Sequence, residues 1–165
     1  TLCYADYRKM IVHVQTVAFS LLVVGLHVLD QNYSEDERSQ WWMDTNICID
    51  KYLNPRDRVI FFADVNGKVG SIITSAIGGH QADAQDDNGR CFHEMLLKYK
   101  CCLPATLSSC HKGKKETFTH SSKSKHRIDF IGVPVAWGYT AKSYILREAD
   151  LSASLFDHFP VARLR

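Results

Sequence analysis

Long apolar runs are missing from this sequence. The longest, Val17 to Val28, is interrupted by Ser20, Gly25 and His27, and a membrane-spanning helix needs about 20 predominantly apolar residues, so no span is expected. Metal-binding CxxC spacing is missing too. The six cysteines are Cys3, Cys48, Cys91, Cys101, Cys102 and Cys110. A zinc site made of Cys101, Cys102, Cys110 and His111 would ask two adjacent cysteines to reach one tetrahedral ion, which they rarely do. A disulfide framework belongs to smaller secreted chains. Free thiols are the expectation, and with them a reducing, intracellular setting. No internal repeat is visible. The chain begins with Thr, and no basic leader with an apolar stretch and a small-residue cleavage site precedes the first strand. We expect a processed piece of a longer protein.

What is present is enough for one domain: 165 residues, 45% of them hydrophobic, form a core without calling for a second unit. The net charge of +2 conceals an asymmetry. Residues 1–110 carry ten Lys and Arg against thirteen Asp and Glu, and residues 111–165 carry ten against five. A basic end suits an anionic partner such as nucleic acid, although a solvated basic face produces the same bias.

Periodicity places the elements. Residues 8–15 alternate apolar and polar, and Phe19 to Val28 is more uniformly apolar, so the two read as a hairpin of strands. Ser34 with Glu37 forms a capping box, followed by Trp42, Thr45, Ile49 and Leu53 at helical spacing up to Asn54-Pro55. Arg58 to Ala63 is a continuous apolar strand, the pattern of one covered on both faces. Ser71 to Asp87 is a long irregular loop. Asp87 or Asn88 is placed to cap a helix from Arg90 to about Cys102. Short strands are expected at Glu116–Thr119, Ile128–Val133, Ser143–Arg147 and Pro160–Leu164. Strand, helix, strand, helix and strands in that order fit an α/β sandwich. Trp41, Trp42 and Trp137 are assigned to packing.

Three acidic pieces carry the chemistry. Ala63-Asp64-Val65-Asn66 ends the apolar strand, Asp129 lies inside Arg127-Ile128-Asp129-Phe130-Ile131, and Phe156-Asp157-His158 lies near the C-terminus. An Asp at a strand end is commonly a turn residue. Asp129, among apolar neighbours, must find a partner or shift its pKa; a structural Asp bonded to backbone meets that demand equally well. His158 is a general base if a carboxylate orients it. Together Asp64, Asn66, Asp129 and His158 make a water-activating, phosphate-holding set. Two basic stretches, with Lys112, Lys114 and Lys115 in one and Lys123, Lys125 and Arg127 in the other, flank the Thr117–Thr119 strand. They are expected to meet a nucleic-acid backbone, or else to be solvated loops of an edge hairpin.

The order of these pieces resembles the endonuclease/exonuclease/phosphatase superfamily, which includes deoxyribonuclease I, apurinic/apyrimidinic endonucleases and the endonuclease domains of LINE-type retrotransposons. Asp64-Val65-Asn66 matches the family's Gly-Asp-Phe-Asn with Ala63 in place of Gly. Ile128-Asp129-Phe130-Ile131 matches Ile-Asp-Tyr-Ile, and Asp157-His158 matches Ser-Asp-His with Phe156 in place of Ser. Asp87-Asn88-Gly89-Arg90 and Thr117-Phe118-Thr119-His120 are similar to retroelement stretches. The similarity runs from about Tyr4 to the C-terminus and corresponds to the later part of the family's domain; the strands bearing its Asn and its metal-binding Glu have no counterpart in this sequence. The resemblance implies a four-layered α/β sandwich of the deoxyribonuclease I type, incomplete at the N-terminus, over residues 1–165.

It also implies metal-dependent phosphodiester hydrolysis, endonuclease-like, on DNA. In that reading Asp64 positions or deprotonates water, Asn66 holds the phosphate, and Asp129 orients His158. His27 contacts phosphate or acts as acid, and Asp157 binds a divalent cation, Mg²⁺ or Mn²⁺. An upstream segment, a downstream reverse transcriptase in the parent protein and a nuclear location would accompany it. A non-catalytic remnant that binds nucleic acid, and a phosphatase of the same superfamily, are the alternatives.

Overall fold

The computed structural model describes residues 1–119 and 122–146 and the backbone of Val161–Leu164. Strands β1 (Leu2–Ala5), β2 (Lys9–Gln15) and β3 (Ser20–His27) form an antiparallel meander. Between β1 and β2 the Asp6 carboxylate accepts from the amides of Arg8 and Lys9 at 2.7 and 2.6 Å, which fixes a tight turn. Helix α1 (Glu35–Tyr52) starts at the expected capping box, with the Ser34 hydroxyl accepting from the Glu37 amide and the Glu37 carboxylate accepting from the Ser34 amide. It is the crossover that lets β4 (Arg58–Asp64) run parallel to β3; a parallel pair requires such a connection.

After an irregular segment, α2 (Asp87–Lys98) leads to the two-residue strand β5 (Cys101–Cys102) and a 3-10 turn at Pro104–Thr106. Strands β6 (Phe118–Thr119) and β7 (Lys125–His126) pair antiparallel. Strand β8 (Asp129–Pro134), a short helix α3 (Val135–Gly138) and the antiparallel pair β9 (Lys142–Ile145) and β10 (Val161–Leu164) complete the described elements. The main sheet has the order β1-β2-β3-β4-β8-β5.

Alternation along the strands sends one set of side chains toward the helices. Ile11, Leu22, Val24, Val59, Phe61 and Phe130 meet Trp42 and Ile49 of α1 and Phe92, Met95 and Leu96 of α2 in one buried cluster. Phe92 meets Phe61 edge-on at 5.9 Å between centroids and Phe130 at 6.1 Å, which adds about 0.5–1.5 kcal/mol per pair to the burial itself. The opposite set stays open. Phe62 is 50% exposed and Met10 49%, so the expectation that β4 is covered on both faces is corrected: among the described residues both long helices lie on one side of the sheet.

Two boundaries also differ from expectation. The cap of α2 is Asp86, whose carboxylate accepts from the amides of Gly89 and Lys68, and this starts the helix at Asp87 rather than Arg90. The helix ends at Lys98 because Lys100 takes a left-handed φ of 55°, and Cys101-Cys102 then pair as a strand with Pro134 and Val133.

Candidate active site at the strand ends

Backbone register assembles the site. Parallel pairing sets His27 of β3 opposite Asp64 of β4, and antiparallel pairing sets Asp64 opposite Asp129 of β8. The three residues therefore form one row across neighbouring strands about 4.8 Å apart. All three belong to the half of the alternation that points away from α1 and α2, since Leu26, Ala63 and Phe130 between them are buried in the core. The His27 Nε2 lies 3.9 Å from an Asp64 carboxylate oxygen, with the imidazole 57% and the carboxylate 20% exposed. An imidazole and two carboxylate-bearing residues thus share one row at one end of the sheet.

The turn after β4 is held from several sides. Asn66 takes a left-handed φ of 45°, a conformation that Asn tolerates better than most residues. Its amide donates to the Asp64 carboxylate at 3.0 Å, and its side-chain Nδ2 donates to the Val28 carbonyl at 2.8 Å. That second bond ties the exit of β4 to the exit of β3. Ala63, where the family motif has Gly, lies outside the positive-φ residues, so its methyl costs no backbone strain.

Asn88 was expected as a possible cap and as part of the retroelement-like stretch Asp87-Asn88-Gly89-Arg90. It is instead 4% exposed inside the first turn of α2. Its Nδ2 donates to the carbonyls of Leu29 and Asn66 at 2.8 and 3.3 Å, and its Oδ1 accepts from the Trp42 indole at 3.1 Å. One amide therefore braces both loops of the site against both helices. Thr117 supports the third strand: its buried hydroxyl accepts from the amides of Ile128 and Asp129, both at 3.1 Å. Sequence reasoning passed over Thr117 as an ordinary strand residue; its place in the retroelement-like stretch was the available signal.

Other expected residues are placed as follows. Lys112, Lys114, Lys123 and Lys125 are exposed, the last within the β6–β7 hairpin opposite Thr119. Lys115 is half-buried and paired with Asp83 at 2.7 Å. Arg127 corrects the expectation made for it. It is 5% exposed, and its guanidinium donates to the Ala105 carbonyl and, at 3.3 Å, to that of His80; burial pulls its pKa down to about 10. It pins the irregular segment to the start of β8 and presents no charge to solvent. His93 and His111 are also interior. Burial holds both imidazoles below their ordinary value, with Arg127 and His80 adding to the effect at His111.

Asp157, His158 and His120 lie outside the described residues. Among the described residues no three His, Cys, Asp or Glu side chains are grouped to hold a metal. Asp64 and Asp129 supply carboxylate oxygens of the type Mg²⁺ prefers, and this ion commonly takes one or two carboxylates and keeps water in its other positions. No helix among the described residues is long and apolar enough to cross a membrane.

No family model and no curated protein matches the chain. Solved structures do. A 3' phosphatase, NExo, from Neisseria bound to a product DNA hairpin aligns with a TM-score of 0.64 at 16% identity, over 93% of this chain and 63% of that one. The endonuclease domain of TRAS1, a telomere-specific non-LTR retrotransposon, aligns with a TM-score of 0.60 at 18% identity, over 94% and 62%. An endonuclease/exonuclease/phosphatase family protein from Leptotrichia buccalis gives a TM-score of 0.57 at 14% identity, over 93% and 50%. The chain thus has the deoxyribonuclease I-like α/β fold of endonuclease/exonuclease/phosphatase proteins, and it spans less than two thirds of their length.

Proposed function

We propose that this chain carries the phosphate-facing part of a phosphodiester hydrolase active site that acts on DNA as an endonuclease. The observation that supports this reading is the row of His27, Asp64 and Asp129 at one end of a sheet whose fold is shared with nucleases and a phosphatase. In the reaction a water oxygen attacks phosphorus in line, the bond to the leaving oxygen breaks, and a phosphomonoester and a hydroxyl result. Asp64 orients the water, whose proton passes to His158. One N–H of Asn66 Nδ2 is committed to Val28, and the other is the donor for a phosphoryl oxygen. His27, exposed beside Asp64, gives the leaving oxygen its proton. Asp129 orients His158 as base.

A divalent cation, Mg²⁺ or Mn²⁺ with Asp157 as a ligand, belongs to the same reading. It would stabilise negative charge developing on the phosphoryl oxygens. The lysines Lys112, Lys114, Lys123 and Lys125 supply long-range attraction for the strand.

The test is nicking of supercoiled plasmid by the full-length protein with Mg²⁺ or Mn²⁺. Asp64→Asn and Asp129→Asn should each reduce the rate by about 10²-fold or more, and chelation should abolish it. Undiminished nicking by Asp64→Asn refutes the assignment. A relative that binds nucleic acid without cleaving it is the second reading. Duplex binding with no nicking, together with no heat of Mg²⁺ binding in calorimetry, would select it. Turnover of phosphomonoesters alone would select a phosphatase.

A further inference from the structure

The row described above has a fourth member. The Lys9–Leu26 pairing of β2 with β3 sets Arg8 opposite His27, a position closed by the bond from the His27 amide to the Arg8 carbonyl at 2.8 Å. By the same alternation Arg8 falls on the site side of the sheet, two strand spacings or about 10 Å from Asp64. That distance is about three stacked nucleotides of one strand.

Three observations set this position apart. First, the guanidinium lies within cation–π distance of two rings, 5.6 Å from the centroid of Tyr7 and 5.4 Å from that of Tyr33. Second, Nη1 donates to the carbonyls of His27 and Val28 at 3.3 and 3.5 Å and Nη2 to the Tyr33 hydroxyl at 3.2 Å, while Nε is buried without a partner. Among the described residues no carboxylate lies within ion-pair distance of this charge; Asp6, the nearest in sequence, is taken up by the amides of Arg8 and Lys9 and the Tyr4 hydroxyl. Third, Tyr7 is 87% exposed at the tip of the β1–β2 turn.

We propose that Tyr7, Arg8 and Tyr33 form a subsite for an unpaired nucleotide of the substrate strand, about three nucleotides from the scissile position. The base stacks on the ring of Tyr7. The unneutralised guanidinium attracts the adjoining phosphate, and Arg8, through the carbonyls it binds, also sets the exit of β3 that carries His27. The contact is tolerant of sequence, because every base has a π-face. The inference rests on the nucleic-acid reading of the active site and adds to it a preference for strands that are single or locally opened.

The experiment is fluorescence anisotropy of the full chain with a labelled oligothymidylate, with the same backbone lacking bases, and with vesicles containing phosphoinositide, all in chelator so that no cleavage intervenes. Tyr7→Ala should weaken oligothymidylate binding by about 5- to 150-fold, the effect of one lost stacking contact. Tyr7→Phe should restore it, and binding of the base-free backbone should be unchanged by either substitution. Equal binding of oligothymidylate by wild type and Tyr7→Ala overturns the subsite while leaving the nuclease reading intact. An equal loss on the base-free backbone also overturns it, since the contact is then not stacking. Wild-type protein that binds neither oligonucleotide, or binds only the vesicles, overturns the subsite and the nucleic-acid reading together.

Discussion

Replacing Asn88 with alanine is expected to cost about 2–4 kcal/mol of unfolding free energy. The side chain satisfies the Trp42 indole N–H, the Leu29 carbonyl and the Asn66 carbonyl. Trp42 is 4% exposed and Leu29 7%, so truncation leaves a donor and an acceptor facing the interior. Each such orphan costs about 1–3 kcal/mol. The Asn66 carbonyl belongs to a half-exposed residue and regains water, so it adds little. With a urea m-value of about 1–3 kcal/mol/M for a domain of this size, the unfolding midpoint followed by tryptophan fluorescence should fall by about 1–2 M at unchanged m. Nicking, measured where the variant is still folded, should fall by about tenfold or more, because both loops of the site lose their common brace. A midpoint within about 0.3 M of wild type would refute the clamp, and a large midpoint shift with full activity would refute its coupling to the site.

Stability should depend on pH through the interior histidines. Folding holds His93 and His111 below their ordinary value of 6.5, so the unfolded chain binds more protons in the interval beneath it. Stability is then complete above about pH 6.5 and falls as the pH drops toward the folded-state values; urea midpoints at pH 7.5 and 5.5 should show this, and His93→Gln with His111→Gln should flatten the difference. Arg127→Ala should lower the midpoint through lost bonds to Ala105 and His80 while leaving the salt dependence of DNA binding unchanged. Lys112→Ala and Lys123→Ala should do the reverse, each reducing the slope of log K against log salt by about 1; an Arg127 variant with an altered slope contradicts its interior placement. Gly89→Ala should fail to fold stably, because a Cβ there would fall 1.8 Å from the Lys68 carbonyl oxygen, whereas Gly25→Ala meets nothing nearer than 3.7 Å; expression and thermal melting of the two would decide it.

Local rules recovered much of this molecule from the residues alone. The capping box at Ser34 and Glu37, the β2–β3 hairpin and the strand delivering Asp64 follow from caps and periodicity, which depend on near neighbours. What escaped were features set by distant ones. Strand β1 is only four residues long, too short for periodicity to speak. Cys101-Cys102 read as the end of a helix because nothing local announces that Lys100 will turn left-handed and hand the chain to β8. Arg127 read as a surface cation since its run of Lys, His and Arg is basic, and only the packing of Ala105 and His80 against it shows it to be interior. Asp64 and Asp129 were grouped with Asn66 and His158 in one water-activating set, Asp129 as the residue that orients His158. Their opposition is now a matter of register, as is the place of His27 beside them.

The three strand ends enter the row from different parts of the chain, and their order is kept by ladder bonds rather than by the loops between them. Changes in length should therefore divide sharply by location. Deleting one residue between Val59 and Ala63 would turn Asp64 toward the helices, because each step along a strand reverses the side chain. Adding several residues within the exposed stretch 71–73, where no ladder passes, would leave the row standing. The segment that varies freely and the strands that do not are thus separable, and a library of insertions scored for nicking should map that boundary residue by residue.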